Sequence, residues 1–298
     1  MLSIFGLIIA ASSFVVMSDC DQFLNVDKIS TQTEIEWDSK EDDPLIDFNA
    51  LTGKKVLLVV HGYNTDAKSA KASYRLVYDQ VVKLQDSDGQ DFYDTVIGYL
   101  WPGYANSMEY FAARKHAEAL SQRMRHNLSL LSSTAAQVDI MAHSMGNRLI
   151  LEALDYAFAP YKKNLVQNFY SFAAAVNDQS IEKKHSFYRS TQNCQDVYVF
   201  HSNRDDVLKL FYPIAEHEEA LGYEGIGHLA MLPHNIQFID CSSVVSGHGE
   251  YFAAPSLYDF IKKRLLNQLP TPALAPNMKI LGNGMIEVIA VGKNDTGK

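Results

Sequence analysis

The residues with the clearest chemical potential lie in the stretch V-D-I-M-A-H-S-M-G-N-R, at positions 138–148. An apolar run precedes Ser144 and an amphipathic pattern follows it, which predicts a strand, a sharp turn and a helix. Two small residues, Ala142 and Gly146, stand where this strand and helix must pass closely. The context is that of a nucleophile elbow, in which a serine on a strained turn attacks an acyl carbon. Alanine at position 142 is a mild departure from G-x-S-x-G.

A serine hydroxyl needs a base to take its proton, and the base needs an acid to orient it. Asp205 and Asp206 follow the predicted strand at 195–201, and we predict Asp205 as the acid. Asp206 is the alternative acid, although its place before two apolar residues is equally well explained by a helix cap. A further alternative is that both carboxylates are only turn and cap residues.

Four histidines downstream of these carboxylates are candidates for the base: His217, His228, His234 and His248. Only His248 follows the last predicted strand and precedes the last predicted helix, and a glycine on each side lets its loop present the side chain. His228 is the second choice, but it precedes that strand. With His248 as the base, the order along the chain is serine, acid, histidine, as a hydrolase of the nucleophile-elbow type requires.

The negative oxygen formed during such an attack needs two backbone N–H donors. We predict the N–H of Met145, directly after the serine, as the first donor and the N–H of Tyr63 as the second. Tyr63 lies in the loop 61–64, which leaves a buried strand and can turn at Gly62. His61 and His143 are predicted to be structural rather than catalytic.

Aromatic residues near the predicted loops could wall a pocket for an acyl chain. The candidates are Tyr104, Phe211 and Phe252, although aromatic residues at such places often serve packing alone. A metal site in the stretch 217–228 is conceivable, but the stretch is typical of a charged helix followed by a loop. We therefore predict no metal site.

The elements that would position these residues alternate between strands and helices. This alternation indicates an α/β fold with a mostly parallel central sheet and helices on both faces. Strands are expected at 54–60, 93–100, 138–141, 168–176, 195–201 and 236–241, with an edge strand at 28–37. Helices are expected at 67–85, 105–131, 178–188, 207–221 with an interruption at Pro213, and 251–269.

Composition limits the partners of this chain of 298 residues. A formal net charge of -9 and a pI near 5.5 argue against nucleic acid or an anionic membrane as the main partner, because either would repel such a surface. Three scattered cysteines show neither zinc-ligand spacing nor a disulfide framework. A single bridge between Cys194 and Cys241 stays open if the protein is exported.

The first 17 residues are almost wholly apolar and are followed by polar residues. The run is short for a membrane span, which needs ~20 residues, but it is long enough for the apolar part of a signal peptide. It lacks the Lys or Arg that usually opens a signal peptide. Residues 1–18 are therefore compatible with a signal peptide or an N-terminal membrane anchor. A buried N-terminal strand of a cytoplasmic protein is an equal alternative, and the oligomeric state stays open.

Several motifs together resemble the α/β-hydrolase superfamily. They are V-H-G-Y-N at 60–64, Y-L-W-P-G at 99–103, M-A-H-S-M-G-N-R at 141–148, S-N-R-D-D at 202–206 and G-H-G-E-Y-F at 247–252. More narrowly, these motifs are similar to those of a bacterial branch catalogued only as a domain of unknown function. One departure is Glu250, which stands where a serine is frequent after the Gly-His pair. We expect an α/β-hydrolase domain at 28–269 and a C-terminal tail at 270–298.

The resemblance implies an eight-stranded, mostly parallel sheet and hydrolysis of esters without a metal or organic cofactor. Together with the motifs, it makes an esterase or lipase-like hydrolase the main hypothesis, with a small-molecule or lipid ester as substrate. An acyltransferase or a thioesterase would use the same residues. A non-catalytic binding or envelope-associated protein on the same scaffold is the alternative from another class.

Overall fold

A computed structural model of the chain describes residues 13–18, 48–103, 109–155, 164–225, 228, 231–266, 278–280 and 286–288. The expected edge strand at 28–37 lies outside the described residues, as do most of residues 1–18 and much of the tail. Within the described ranges, no helix has the length and apolar character that a membrane crossing requires.

Six parallel strands form the centre of the sheet, in the order β3-β2-β4-β5-β6-β7. They are β2 (Lys55–Val60), β3 (Thr95–Leu100), β4 (Gln137–His143), β5 (Val166–Phe172), β6 (Cys194–His201) and β7 (Ile236–Asp240). Every residue of β3 is buried, as expected for an apolar run covered on both faces. The predicted α/β fold with a mostly parallel central sheet is confirmed.

Three further strands extend this sheet at its two edges. On one side, β1 (Ser13–Ser18) pairs in parallel with β3, so a strand forms within the segment that we compared with a signal peptide. On the other side, β9 (Ile286–Val288) pairs in parallel with β7, and β8 (Met278–Ile280) is antiparallel to β9. Two stretches of the expected tail therefore belong to the sheet.

Helices cover both faces of the sheet. They are α1 (Ala67–Val81), α2 (Tyr110–Thr134), α3 (Met145–Asp155), α4 (Tyr188–Gln192), α5 (Asp206–Glu216), α6 (Leu221–Glu224) and α7 (Pro255–Leu265). Alternate residues of β2 face opposite layers: Leu58 packs in the core with α2 and α3, and Leu57 packs in the core with α1 and α7. The core therefore consists of two apolar layers, one on each face of the sheet.

Helix boundaries differ from the predictions at several places, and α1 ends at Val81 rather than at 85 while α2 ends at Thr134 rather than at 131. The stretch 178–188, predicted to be helical, consists of turns, and α4 begins only at Tyr188. Helix α5 continues through Pro213 and ends three residues later, at Glu216, whose side chain is bound by Arg114 of α2. The last helix begins at Pro255, which suits the first helical turn, after a short 3-10 helix at Tyr251–Ala253.

Cys194 and Cys241 are both buried free thiols, so the bridge between them that we left open is not formed.

Candidate active site

Ser144 lies on a strained turn between β4 and α3. Its φ of 53° is in the left-handed region, which a side chain other than glycine adopts only when the surroundings hold it. The N–H of Ser144 donates to the carbonyl of Phe172 (3.0 Å), and the side-chain amide of Asn147 donates to the carbonyls of Ala142, Ser144 and Phe172. A Cβ at Gly146 would lie 2.5 Å from the carbonyl oxygen of His61, which explains the small residue there.

Three predicted side chains meet at this turn. His248 Nε2 lies 2.9 Å from Ser144 Oγ, and His248 Nδ1 lies 2.8 Å from Asp205 Oδ2. The carboxylate of Asp205 is wholly buried, so the N–H at Nδ1 donates to it and Nε2 is left to accept the serine proton. The predicted alternative acid, Asp206, is exposed on the first turn of α5.

Asp205 has a second contact that fixes its direction. It is the N-cap of α5, where its Oδ1 accepts the N–H of Leu208 at 3.1 Å while its Oδ2 binds His248. One carboxylate therefore starts a helix with one oxygen and orients the histidine with the other.

The loops that carry the acid and the histidine are bonded to each other and internally. Ser202 Oγ donates to the carbonyl of Val245 (2.8 Å), and Arg204 Nη1 donates to the carbonyl of Ser242. Within the histidine loop, Glu250 accepts the N–H and the hydroxyl of Ser246, and these bonds lower the pKa of the Glu250 carboxyl. The unusual Glu250 therefore braces the loop that presents the histidine.

His143, directly before the serine, also supports the histidine. Its Nε2 lies 2.7 Å from the backbone carbonyl of His248, so Nε2 carries the proton and donates it. Burial, and the electrostatic interaction with the neighbouring ring of His248, lower the pKa of His143 to about 3. The ring is therefore neutral near pH 7 and acts as a hydrogen-bond donor.

The loop predicted to supply an oxyanion donor lies against the serine. A Cβ at Gly62 would come within 2.6 Å of the Ser144 Cβ, so only glycine permits this approach. Tyr63 follows in the same loop. Met145 is the first residue of α3, where backbone N–H groups have no partner within the helix. Both predicted donors therefore belong to backbone segments adjoining Ser144.

His61 holds this loop in place through contacts with the strand next to it. Its Nε2 accepts the N–H of Trp101 (3.2 Å), its Nδ1–H donates to the carbonyl of Gly62 (2.8 Å), and the two rings stack. Trp101 Nε1–H donates back to the carbonyl of His61 (2.8 Å). Burial lowers the pKa of His61 to about 4, which keeps the ring neutral. The roles of Trp101 and Asn147 were not predicted from the sequence; only their presence in the quoted motifs indicated them.

An ionic cluster links the end of α5 to α2 and α3. Glu216 accepts from Arg114 Nη1 (2.5 Å) and from the hydroxyl of Tyr110 (2.8 Å), and Arg148 Nη2 lies 3.7 Å from it. The ring of Tyr110 contacts the ring of Tyr63 edge-on, with centroids 5.6 Å apart. The cluster therefore connects α5 to the loop 61–64.

The predicted substrate-contacting aromatic residues lie in different surroundings. Phe252 is buried against the rings of His143 and Phe172, and Phe211 is exposed on α5. Tyr104 lies outside the described residues. These assignments therefore remain predictions.

His228, the second choice for the base, pairs with the buried carboxylate of Glu182 and has no contact with Ser144 among the described interactions. Within the described part of the chain, no group of three or more His, Cys, Asp or Glu side chains is arranged to hold a metal ion.

A protein-family model described as "Alpha/beta hydrolase of unknown function (DUF900)" matches residues 39–265. No curated protein sequence matches the chain. Several solved structures are similar to it at low identity. Esterase PE8 is 15% identical, over 71% of this chain and 93% of its own, with a TM-score of 0.40. Lipase B of Aspergillus fumigatus is 12% identical, over 73% of this chain and 53% of its own, with a TM-score of 0.45. An esterase of Pyrococcus furiosus is 12% identical, over 72% of this chain and 80% of its own, with a TM-score of 0.39.

Proposed function

This chain belongs to the DUF900 family of α/β hydrolases, and we propose that it is a serine hydrolase that cleaves carboxylic esters through Ser144, His248 and Asp205. One observation carries the proposal. The side chains form an unbroken hydrogen-bond series, from Ser144 Oγ to His248 Nε2 and from His248 Nδ1 to the buried Asp205 carboxylate. Nucleophile, base and orienting acid are thus in the contacts that acyl transfer to a serine requires.

In the proposed reaction, Ser144 Oγ attacks the acyl carbon of the ester while His248 Nε2 takes the hydroxyl proton. Asp205 stabilises the imidazolium that forms. The carbonyl oxygen becomes negative and accepts the N–H groups of Met145 and Tyr63. His248 then gives its proton to the departing alkoxide, which leaves an acyl-enzyme. His248 takes a proton from water, which attacks this intermediate; His248 then returns the proton to Ser144 Oγ as the bond between Oγ and the acyl carbon breaks and the acid is released.

The surroundings of the three side chains favour proton transfer between Ser144 and His248. Ser144 and Asp205 are buried and His248 is mostly buried, so charges that form during the reaction are weakly screened. The low pKa values of His61 and His143 make these two rings poor proton acceptors near pH 7. His248, whose Nε2 contacts Ser144 Oγ, is therefore the ring that we propose takes the serine proton. We propose that ester substrates, small or lipid, enter at this carboxyl edge of the sheet.

The test compares wild type, Ser144→Ala and Ser133→Ala on a series of p-nitrophenyl esters from short to long acyl chains. Ser133 is an exposed serine of α2 and serves as the matched control. We expect Ser144→Ala to lose turnover by on the order of 10⁴-fold or more, with an unchanged unfolding midpoint. A fluorophosphonate probe should label wild type and Ser133→Ala once per chain and leave Ser144→Ala unlabelled. Undiminished turnover in Ser144→Ala would refute the mechanism.

The same experiment separates the related functions. Added alcohols or thiols that divert the acyl group into new esters or thioesters would identify an acyltransferase. A strong preference for thioesters would identify a thioesterase. A wild-type protein that neither turns over esters nor reacts with the fluorophosphonate would instead be a binding protein on this scaffold.

A further inference from the structure

Helix α5 exposes a continuous apolar face, which we call the α5 face. We propose that this face docks the protein onto the surface of a neutral or zwitterionic lipid aggregate. The α5 face consists of Val207, Leu210, Phe211 and Ile214, with exposed fractions of 42%, 54%, 65% and 75%. The consequence for the substrate, that it is a lipid ester presented at this surface, rests on the proposed function.

The spacing of the four residues places them in one stripe along the helix. Positions i, i+3, i+4 and i+7 share a face, and such an apolar face normally packs against the rest of the protein. Here the packed side of α5 is the opposite one, which carries the buried Leu208 and Tyr212. A stripe of large apolar residues that faces solvent is unusual on a soluble protein and marks a binding surface.

The α5 face is directly connected to the candidate active site. The helix begins at Asp205, whose carboxylate both caps it and binds His248. Its other end, at Glu216, is held by Tyr110 and Arg114 of α2. Phe111, the neighbour of Tyr110, is another large apolar side chain with 58% of its surface exposed. A surface that binds the α5 face would therefore contact the helix whose N-cap, Asp205, binds His248.

The contacts at the two ends also place α5 between the helix layers. Leu208 packs in the core layer of α1 and α7, whereas Glu216 binds α2 and α3 on the other side. The helix thus joins the two layers at the carboxyl edge of the sheet, where Ser144 lies. Its outward side is the part of this edge that an approaching lipid surface would meet.

The charges around the α5 face and the size of the face indicate which kind of partner it can bind. The stripe holds no charged residue, while Asp206 lies beside it and Glu218 and Glu219 follow the helix. These carboxylates, and the net charge of -9, disfavour an anionic lipid surface but not a neutral or zwitterionic one. A second protein copy would need about 20–30 interface residues a side, far more than the stripe offers. A few apolar side chains on one helix are enough for reversible binding at a lipid surface.

The first test uses a tryptophan placed in the full-length protein as a local reporter. Ile214→Trp carries it in the α5 face, and Leu76→Trp, at an exposed apolar position of α1, is the matched control. The emission of the wild-type protein, which contains two tryptophans, is subtracted. With phosphatidylcholine vesicles we expect a blue shift at position 214, quenching by bromine-labelled lipid, and neither effect at position 76. This local reading is independent of any binding through the N-terminus.

The second test measures turnover by wild type, Leu210→Gln/Ile214→Gln and Leu76→Gln. On a long-chain ester embedded in phosphatidylcholine vesicles, we expect the double variant to be about tenfold slower or more, because less apolar surface is buried at the lipid. On a short soluble ester, all three proteins should react equally, since the altered side chains do not contact the triad.

The outcomes of the two tests distinguish a wrong docking proposal from a wrong proposal of ester hydrolysis. No spectral change at position 214, with soluble-ester turnover intact, would overturn the lipid surface and leave the hydrolase. A blue shift that grows with protein concentration without lipid would overturn it in favour of a second copy. A lipid-dependent shift without any ester turnover would support the docking surface and refute the proposed reaction.

Discussion

Among single residues, His143 acts on the site through one hydrogen bond, from its Nε2–H to the backbone carbonyl of His248. We predict that His143→Met, which removes the donor, lowers kcat for a soluble ester about fivefold and leaves KM unchanged, since one such bond contributes about 1 kcal/mol. His143→Gln, of similar size but with an amide N–H, should recover most of this loss. Steady-state kinetics and the rate of fluorophosphonate labelling measure both effects.

The Met and Gln variants distinguish positioning from packing. If both lose the same activity in proportion to a lower unfolding midpoint, His143 only fills space beside Phe252. If labelling slows in His143→Met alone, at an unchanged midpoint, the donor positions the histidine loop.

The sequence indicated the residues of the candidate triad better than it indicated the residues whose hydrogen bonds hold the surrounding turn and loop in place. Ser144, Asp205 and His248 stand in a recognisable order, each after a predicted strand, and the structure brings them together. The contacts of Asn147 and Trp101 could not be predicted, because their partners are mostly backbone carbonyls or a ring whose positions depend on the assembled fold. A sequence pattern gives residue types, whereas these roles depend on distances.

Among the elements, α5 depends on the same carboxylate as the proposed catalysis. We predict that Asp205→Asn lowers turnover by on the order of 10⁴-fold, because an amide cannot hold the required tautomer of His248. Its amide oxygen can still cap α5, so stability should change little. Asp205→Ala should lose activity similarly and also about 1 kcal/mol of unfolding free energy, since the cap at Leu208 is lost. Ester kinetics and urea unfolding measure the two effects.

Asp206→Asn is the matched control, because Asp206 lies exposed in the same helical turn. It should keep full activity and lose only a few tenths of a kcal/mol from the helix dipole. A large activity loss in Asp206→Asn, with Asp205→Asn active, would exchange the roles of the two carboxylates.

Elements buried on both faces were the easiest to predict. The runs that became β2 and β3 are largely apolar because a layer of helices covers each face of the sheet there. The stretch 178–188 was wrongly predicted to be helical, because its polar residues carry too little periodic signal to distinguish a helix from a series of turns. Continuation of α5 through Pro213 depends on tertiary contacts, such as Glu216 with Arg114, that local sequence does not contain.

At the scale of the whole molecule, the fold class followed from the alternation of strands and helices, but the sheet edges did not. Strand β9 pairs with β7 although the whole of α7 lies between them in the sequence. Strand β9 is only three residues long. Such long-range pairing leaves no local pattern beyond a few apolar residues. Ile286 and Val288 are nevertheless buried in the core, which explains why this stretch is apolar.

Stability against acid also belongs to the whole molecule, because two of its buried groups change the pH dependence of folding in opposite directions. Burial lowers the pKa of His61 to about 4 from 6.5, so between these values the unfolded chain binds a proton that the folded protein excludes. Burial raises the pKa of Asp139 to about 6 from 3.8, despite hydrogen bonds from Tyr93 and Asn168. His61 therefore removes stability as pH falls from 6.5 to 4, and Asp139 adds stability as pH falls from 6 to 3.8.

We predict opposite changes in pH dependence when these two groups are replaced. In His61→Gln, the free energy of unfolding should decline less steeply between pH 6.5 and 4, by roughly 1.4 kcal/mol per pH unit. In Asp139→Asn, the decline between pH 6 and 3.8 should be steeper by a similar amount, whatever the absolute stability. Urea unfolding at successive pH values gives each slope, and Ser133→Ala, which alters an exposed position without a titrating group, should keep the wild-type slope. A wild-type slope in His61→Gln would mean that the folded protein protonates this ring as readily as the unfolded chain does. In that case the ring of His61 could not be the neutral partner that stacks on Trp101 and holds the loop 61–64 in the folded protein.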